Sequence, residues 1–194
     1  MKRFLTIILA LLFALGMFTL VGCDETTVGE TTTANDTADA QDYGNDAADE
    51  PAEGTRANPL SLGTEVIAGD WTVVINSVNL DATDEVLEEN MFNDDPEDGS
   101  VYVLVNATIT YNGDEDQGET FLGSIQLVTA GGNTIASYNT FAVAPDAIDI
   151  FQTLFEGASV SGNLVFEVAE ADLEDLTVSV SPTMFADSMF VATR

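Results

Sequence analysis

The stretch "VYVLVNATITY", residues 101–111, decides the fold class of this chain. In its second half Ala107, Ile109 and Tyr111 alternate with asparagine and threonine, which is the period of two of a β-strand. Valine, threonine and tyrosine are also residue types that strands favour. The stretch therefore predicts a strand with one apolar face in a core and one polar face towards solvent.

Further runs of the same kind lie on both sides of this stretch. The predicted strands are Trp71–Leu80, Phe121–Ala130, Ser159–Ala169 and Asp175–Ser181, with weaker ones beginning at Thr64 and Ser188. Seven or eight short strands in about 140 residues predict an all-β fold, an antiparallel β-sandwich.

Two segments between the strands have helical features, and a third has a turn signal. A helix is predicted at Asp81–Phe92, with Asp81 or Thr83 as its N-cap. The segment Pro145–Phe155 is predicted to be a connection with one helical turn. The glycine pair at 131–132 predicts a two-residue hairpin, because glycine readily adopts the positive φ that such turns need. The helices are thus short insertions in a β fold.

The N-terminus begins with Lys2 and Arg3 and continues with an uncharged, largely apolar run of 18 residues from Phe4 to Val21. This length lies near the lower limit for a helix that spans a bilayer, about 17–25 residues. Length alone leaves two interpretations open, a cleaved signal peptide and a retained membrane anchor.

The end of this run separates the two interpretations. Leu20, Val21, Gly22 and Cys23 resemble the lipobox of bacterial lipoproteins, in which an aliphatic residue and two small or compact residues precede a cysteine. The resemblance implies that the Cys23 thiol carries diacylglycerol, with fatty acyl chains such as palmitate, and that a peptidase cleaves after Gly22. Since Cys23 is the only cysteine, no disulfide forms within the chain.

These features predict the organisation of the N-terminal part. Residues 1–22 are a lipoprotein signal peptide, and the acyl chains on Cys23 anchor the mature protein on the outer face of the cytoplasmic membrane. Residues 23–54 are the lipidated cysteine plus a disordered acidic tether, in which only Val28 and Tyr43 are apolar side chains larger than alanine. Such a segment buries too little apolar surface to offset the entropy of ordering. The folded domain is 55–194.

The charge of the chain from Cys23 onward restricts the classes of partner that it can bind. From Cys23 onward the chain holds all 34 acidic residues against Arg56 and Arg194 as the only strong bases, a net charge of −32. This charge excludes nucleic acid, whose phosphates bind clusters of lysine and arginine. Like-charge repulsion destabilises a compact state at low ionic strength, and salt screens it. We expect a protein adapted to a salty exterior, with an ordinary acidic secreted protein as the alternative.

Two rare residue types of the folded part are predicted to be structural. Arg56 is expected to bond a carboxylate or a strand-end carbonyl rather than a ligand. Trp71, the only tryptophan, is expected to pack in the core of the sandwich.

Two acidic loops supply weak candidates for calcium ligands, namely Asp94, Asp95, Asp98, Asp114 and Asp116. The second loop begins like an EF-hand, but Gln117 stands where that loop needs glycine, and strands flank it where helices should. Solvated acidic loops are the simpler interpretation, so we predict no metal site and no cofactor.

Composition also argues against catalysis. The chain has no histidine, and its single thiol is assigned to lipid, which excludes Ser-His-Asp, Cys-His and histidine-zinc sites. A hydrolase with two carboxylates stays a distant alternative, because no carboxylate pair lies in an apolar setting that would raise one pKa. We predict no catalytic residues.

Three segments carry a resemblance to a known family: "GTRANPLSLG" at 54–63, "GDWTVVINSV" at 69–78 and "ENMFNDDPEDGSVYVLVNATITY" at 89–111. Their order resembles the immunoglobulin-like domain of uncharacterised lipoproteins from actinobacteria and other Gram-positive bacteria, a domain of unknown function. The family is similar in fold to a secreted mycobacterial immunogenic antigen. The resemblance implies an immunoglobulin-like antiparallel sandwich over about residues 54–194, and it implies no chemistry.

Together these features predict a non-catalytic, lipid-anchored surface protein whose immunoglobulin-like domain contacts another protein or a component of the cell envelope. The alternative is a lipoprotein that captures a small molecule or metal ion for a membrane transporter. Such receptors usually bind their ligand in a cleft between two lobes, which one small sandwich lacks. A deep pocket with converging polar groups favours the alternative, and an exposed apolar patch favours the first prediction.

Overall fold

The computed structural model describes residues 27–28 and 51–194, and they form eleven strands, one α-helix and two 3-10 turns. The strands are β1 Thr27–Val28, β2 Glu65–Ala68, β3 Trp71–Asn79, β4 Ser100–Tyr111, β5 Glu119–Thr120, β6 Ser124–Val128, β7 Thr134–Ala136, β8 Thr153–Leu154, β9 Ser159–Ala169, β10 Thr177–Ser181 and β11 Met189–Ala192. The helix α1 is Thr83–Glu89, and the 3-10 turns are Ser137–Asn139 and Glu170–Asp172.

The strands form two main sheets. A five-stranded sheet has the order β1-β2-β3-β4-β9, and a four-stranded sheet has the order β11-β10-β6-β7, with β5 and β8 paired separately. All pairings between these strands are antiparallel. The structure confirms the predicted class, an all-β immunoglobulin-like antiparallel sandwich with short helical insertions.

The main core lies between the two sheets. Ala107, Ile109 and Tyr111 of β4 are at most 1% exposed, so the face predicted to be buried is the buried one. Opposite them, Leu127 of β6 and Val178 of β10 are fully buried. Each such side chain contributes about 1.5–3 kcal/mol by leaving water, which makes this layer the main source of stability.

A second, smaller cluster explains why residues 101–105 are all buried. Helix α1 lies on the outer face of the five-stranded sheet, where Val86 packs with Tyr102, Leu104 and Val165. This half of β4 therefore has apolar neighbours on both faces, and its sequence is continuously apolar rather than alternating.

The rest of that outer face is a polar ladder, over which residues 51–194 place no apolar cluster. Asn76, which bulges out of β3, donates to Asn106 Oδ1 (2.8 Å) and to Thr108 Oγ1 (2.9 Å). Asn106 donates in turn to Asn163 Oδ1 on β9 (2.7 Å). Cross-strand bonds of this kind hold a polar face in register.

The helical predictions were right in type at one segment and wrong at the other. Helix α1 is shorter than predicted, with Ala82 at its N-cap and no side-chain cap, and it ends where Asn90 turns extended. No helical turn follows Pro145, because the backbone there bonds to β9 instead: Ile148 N–H donates to Asn163 O (3.1 Å), and Asn163 N–H donates to Asp146 O (2.9 Å).

The glycine hairpin has a different loop length from the prediction. Thr129 N–H donates to Asn133 O (3.0 Å), which closes a three-residue loop rather than the predicted two-residue loop. Only Gly132 has positive φ, at 86°. A tight turn followed by one residue with positive φ is the geometry typical of a three-residue hairpin loop.

Hydrogen bonds join residues 51–54, the end of the predicted tether, to the rest of the described chain. Gly54 N–H donates to Asn58 O (2.9 Å), Phe190 N–H donates to Gly54 O (2.8 Å), and Asn58 Nδ2 donates to Pro51 O (3.0 Å). Within the tether, residues 27–28 form β1, whereas residues 23–26 and 29–50 lie outside the described residues.

Candidate functional site

Both arginines of the chain after Cys23 bond backbone carbonyls. Arg56 Nη2 donates to Thr129 O (3.2 Å) and Ala130 O (3.0 Å), at the end of β6. Arg194 Nη2 donates to Leu173 O (3.3 Å). The structural role predicted for Arg56, at a strand-end carbonyl, is therefore confirmed.

Trp71 lies in the core, as predicted. It is 7% exposed, and its ring lies 4.9 Å from Tyr111 and 5.4 Å from Phe121, centroid to centroid. The tilted and edge-on arrangements are those that aromatic pairs prefer.

The loop that carries Asp94, Asp95 and Asp98 is held by its backbone and by an amide. Asn93 Nδ2 donates to Val86 O (2.6 Å) and Val143 O (2.9 Å), and Asn93 Oδ1 accepts from Val143 N–H (2.8 Å). One amide thus ties the end of α1 to the chain before Pro145.

Asp114 and Asp116 lie in a second loop, between β4 and β5, and both are exposed. The loop contains one backbone turn, in which Gly118 N–H donates to Glu115 O (2.8 Å). Within residues 51–194, no group of three or more acidic, cysteine or histidine side chains is placed to hold a metal ion. The structure therefore does not bring the weak calcium candidates together.

Two of the surface cavities in the described part of the chain differ in chemistry. The first, here called the acidic cavity, has a volume of about 380 Å³ and lies at the start of α1, lined by Asp81, Thr83, Asp84, Glu85 and the start of β4. Asp81 Oδ1 accepts from Thr83 N–H (3.3 Å), and Glu85 Oε1 accepts from Asn79 Nδ2 (2.9 Å). Two of its three carboxylates are thus bonded within the chain.

The second, here called the apolar cavity, has a volume of about 280 Å³. Its floor consists of core side chains, and three exposed side chains surround it: Leu122, Tyr138 and Phe151, which are 62%, 78% and 78% exposed. These three residues are called the apolar rim below. Large apolar side chains grouped at one opening are unlike single exposed residues, which are common on any surface.

Each residue of the apolar rim is placed by a different loop. Leu122 precedes β6, Tyr138 lies in the 3-10 turn after β7, and Phe151 follows the segment that bonds to β9. Asp149 Oδ1 accepts the Phe151 N–H (3.1 Å) and shapes the last turn before the ring. Loops fixed by hydrogen bonds present these side chains on a rigid scaffold.

Leu122 depends on the glycine that follows it. A Cβ on Gly123 would overlap Ser181 O and the Phe121 ring, and would lie 2.6 Å from Pro182 O. Only glycine allows the chain to pass so close to the end of β10 directly after Leu122.

Sequence reasoning missed the apolar rim. The three residues are separated by many positions and lie in connecting segments rather than in a periodic run, so no period marks them. The available signal was that "FQTLF", residues 151–155, has two phenylalanines in a segment without strand alternation.

Burial raises the pKa of two tyrosines. For Tyr102 the nearby carboxylates of Glu167, Asp94 and Asp95 raise the pKa further, and its hydroxyl donates to Asp94 O (3.0 Å). For Tyr111 burial is again the main cause, while the Glu115 backbone N–H lowers the pKa. Neither tyrosine lines the two cavities, so these shifts concern stability rather than a site.

None of the helices in the described part of the chain is long and apolar enough to cross a membrane. The predicted lipobox Leu20, Val21 and Gly22, together with Cys23, lies outside the described residues.

Comparison with known proteins gives a family but no activity. The family described as "Domain of unknown function (DUF4352)" matches residues 60–189. No curated protein matches the chain. Among solved structures, the chain is similar to a conserved hypothetical protein from Bacillus anthracis at 18% identity and a TM-score of 0.46, covering 69% of this chain and 95% of that one.

Proposed function

The chain belongs to the DUF4352 family, a domain of unknown function, and from that premise we propose a non-catalytic surface protein, anchored by lipid, that contacts a protein or cell-envelope partner. The apolar rim carries the proposal. Its three side chains leave apolar surface in water around one cavity of a strongly acidic domain. Aromatic side chains around a small depression are typical of the centre of a protein interface.

The anchor rests on the sequence. Acyl chains on Cys23 place the protein on the outer face of the cytoplasmic membrane, where residues 24–50 separate the domain from the lipid. A similarity to the secreted mycobacterial antigen and an acidic surface adapted to salt belong to the same proposal. Both fit a domain that works outside the cell.

Capture of a cation or small molecule for a transporter is the second candidate function. The acidic cavity favours it, because Asp81, Asp84 and Glu85 line it. The apolar cavity is less favourable, since its volume of about 280 Å³ lies below the usual range of small-molecule sites, about 300–1,000 Å³, and its lining is mostly apolar. We therefore rank capture second.

The anchor is tested by mass spectrometry of the membrane fraction. The native protein is expected to begin at Cys23 and to carry the mass of its acyl chains. A Cys23→Ser protein should remain uncleaved or leave the membrane fraction. If the serine variant is still cleaved after Gly22 and still fractionates with membranes, the lipid anchor is wrong.

The contact is tested by binding of the purified domain to isolated cell envelopes of the producing organism. Leu122→Ser, Tyr138→Ser and Phe151→Ser are combined in one variant. Three exposed anchor residues at about 1 kcal/mol or more each predict a loss of affinity of at least 100-fold. The melting temperature should hardly change, because the replaced side chains are exposed.

The matched control replaces two apolar residues that are equally exposed but do not line the apolar cavity. Met91 and Phe92 are 86% and 82% exposed, so a Met91→Ser and Phe92→Ser protein loses comparable apolar surface. It should bind envelopes like the native domain. Equal binding by the rim variant and the native domain would show that the apolar rim is not the contact.

A further inference from the structure

The first segment of the tether lies on an edge of the five-stranded sheet. Strand β1 pairs with β2 in antiparallel register, Thr27 opposite Ile67 and Val28 opposite Val66. The other side of β2 is paired with β3, so β1 is the outermost strand of this sheet. Without β1, the β2 edge would present unpaired backbone groups, which readily accept a further strand.

The pairing is short, and charge opposes it. Two residues form few backbone hydrogen bonds, each of about 0.5–1.5 kcal/mol net, so the strand is marginal by itself. Residues 23–50 hold nine acidic side chains and no base, whereas residues 51–194 hold 25 acidic side chains and two arginines. Both parts are negative, and their repulsion extends over about 10 Å at 0.1 M salt and about 3 Å at 1 M.

Docking of β1 also sets how far the domain stands from Cys23. Thr27 follows Cys23 by four residues, which span at most about 14 Å. If β1 is released, 28 residues separate Cys23 from Pro51, and a flexible chain of that length has a mean span of about 29 Å. Release therefore about doubles the reach of the domain.

From this register, the charges and the chain lengths, we propose that the β2 edge is a docking site for the chain's own strand Thr27–Val28, and that salt controls its occupancy. At high salt β1 is docked and holds the sandwich close to the membrane. At low salt β1 is released, and the sandwich gains reach. The covalent link favours this occupant over a second copy, because it keeps β1 at an effective concentration in the millimolar range. The membrane part of the proposal rests on the lipid anchor proposed above.

The single tryptophan is an intrinsic fluorescence donor that reports the distance between the sandwich and the membrane. Trp71 lies opposite Ala68, at the β2–β3 turn of the same sheet. The full-length lipidated protein is placed in phosphatidylcholine vesicles that contain dansyl-labelled lipid, and energy transfer from Trp71 is measured from 0.02 to about 1 M NaCl. The docking variant carries Thr27→Pro and Val28→Pro, since proline cannot donate to a strand ladder. The matched control carries Thr32→Pro and Thr33→Pro.

For the native protein and the control, transfer should rise at least twofold with salt. For the docking variant it should stay low at every salt concentration. Equal transfer in the docking variant and the native protein across the salt range would overturn the proposal.

Hydrogen exchange at Val66 and Ile67 tests the docking without a membrane. Successive N–H groups of β2 point to opposite neighbours, so only the one of these two amides that faces β1 reports docking. In the native chain at high salt that amide should exchange at least tenfold more slowly than in the docking variant, and the amide that faces β3 serves as an internal control. This result stands even if the protein fails to bind vesicles, an outcome that would refute the anchor alone. Equal exchange in both proteins refutes the docking. Protection that grows with protein concentration would assign the edge to a second copy and overturn the proposed occupant.

Discussion

The acidic cavity and the apolar cavity are similar in size, but their wall side chains differ in how far contacts within the domain already satisfy them. In the acidic cavity, Asp81 and Glu85 already accept hydrogen bonds from Thr83 and Asn79. In the apolar cavity, Leu122, Tyr138 and Phe151 point apolar surface into water, which no contact within residues 51–194 covers. A strongly acidic domain therefore need not bind through its charge. The carboxylates keep it soluble, and burial of the exposed apolar surface against a partner lowers the free energy.

The largest effect on stability is expected from Gly123→Ala, a substitution in the wall of the apolar cavity. The added Cβ would overlap Ser181 O and the Phe121 ring. We expect a loss of about 3 kcal/mol in the free energy of unfolding, measured by urea denaturation. Gly131→Ala is the control, since its Cβ would meet nothing closer than 3.7 Å. A Gly123→Ala domain as stable as the control would mean that this wall is not tightly packed.

Asn93→Ala should have the next largest effect, on the side of the molecule where α1 and the acidic cavity lie. It removes three hydrogen bonds and leaves the carbonyls of Val86 and Val143 unpaired. The expected loss is about 2 kcal/mol. Asn90→Ala, which removes one bond to Phe92 N–H (3.0 Å), should lose less than half as much. Equal losses would show that the amide of Asn93 does not join the two segments.

Salt should stabilise the domain by screening rather than by binding at the acidic cavity. From low to molar NaCl the free energy of unfolding is expected to rise by an amount on the order of 1 kcal/mol, which is measured as a higher melting temperature. Calcium chloride at matched ionic strength should give the same rise. A saturable calcium effect that Asp84→Asn abolishes would instead make the acidic cavity a cation site and favour the capture function.

The smallest effect is expected from Tyr102→Phe, which loses the hydrogen bond to Asp94 O, about 0.5 kcal/mol at neutral pH. Burial and the carboxylates of Glu167, Asp94 and Asp95 raise the pKa of Tyr102. Above pH of about 10 the unfolded chain loses this phenol proton first, so the stability present below that pH is lost as pH rises through the raised pKa.

Chemical denaturation between pH 8 and 11 checks this sign. The native domain should lose stability above about pH 10, and the phenylalanine variant should lose less. Identical alkaline profiles would show that Tyr102 does not titrate on unfolding.

The strands could be predicted from sequence because their signals are local. Strand β9 has the predicted bounds Ser159–Ala169, and β4 begins one residue before the predicted Val101. The connection after Pro145 could not be predicted, since its backbone bonds to Asn163, a partner distant in sequence. The position of the apolar rim could not be predicted from sequence either. Whether Leu122 or Phe151 is buried depends on how three loops meet, and their own neighbours in the chain do not encode that.

The most direct test of the central claim is photo-crosslinking in the producing cells. Benzoylphenylalanine is introduced at Phe151 or Tyr138 of the full-length protein, and at Phe92 as an equally exposed position that does not line the apolar cavity. Irradiation should give the same discrete adduct from Phe151 and Tyr138, and none from Phe92. Adducts from Phe92 alone, or none from any position, would contradict the claim that the apolar rim meets a partner.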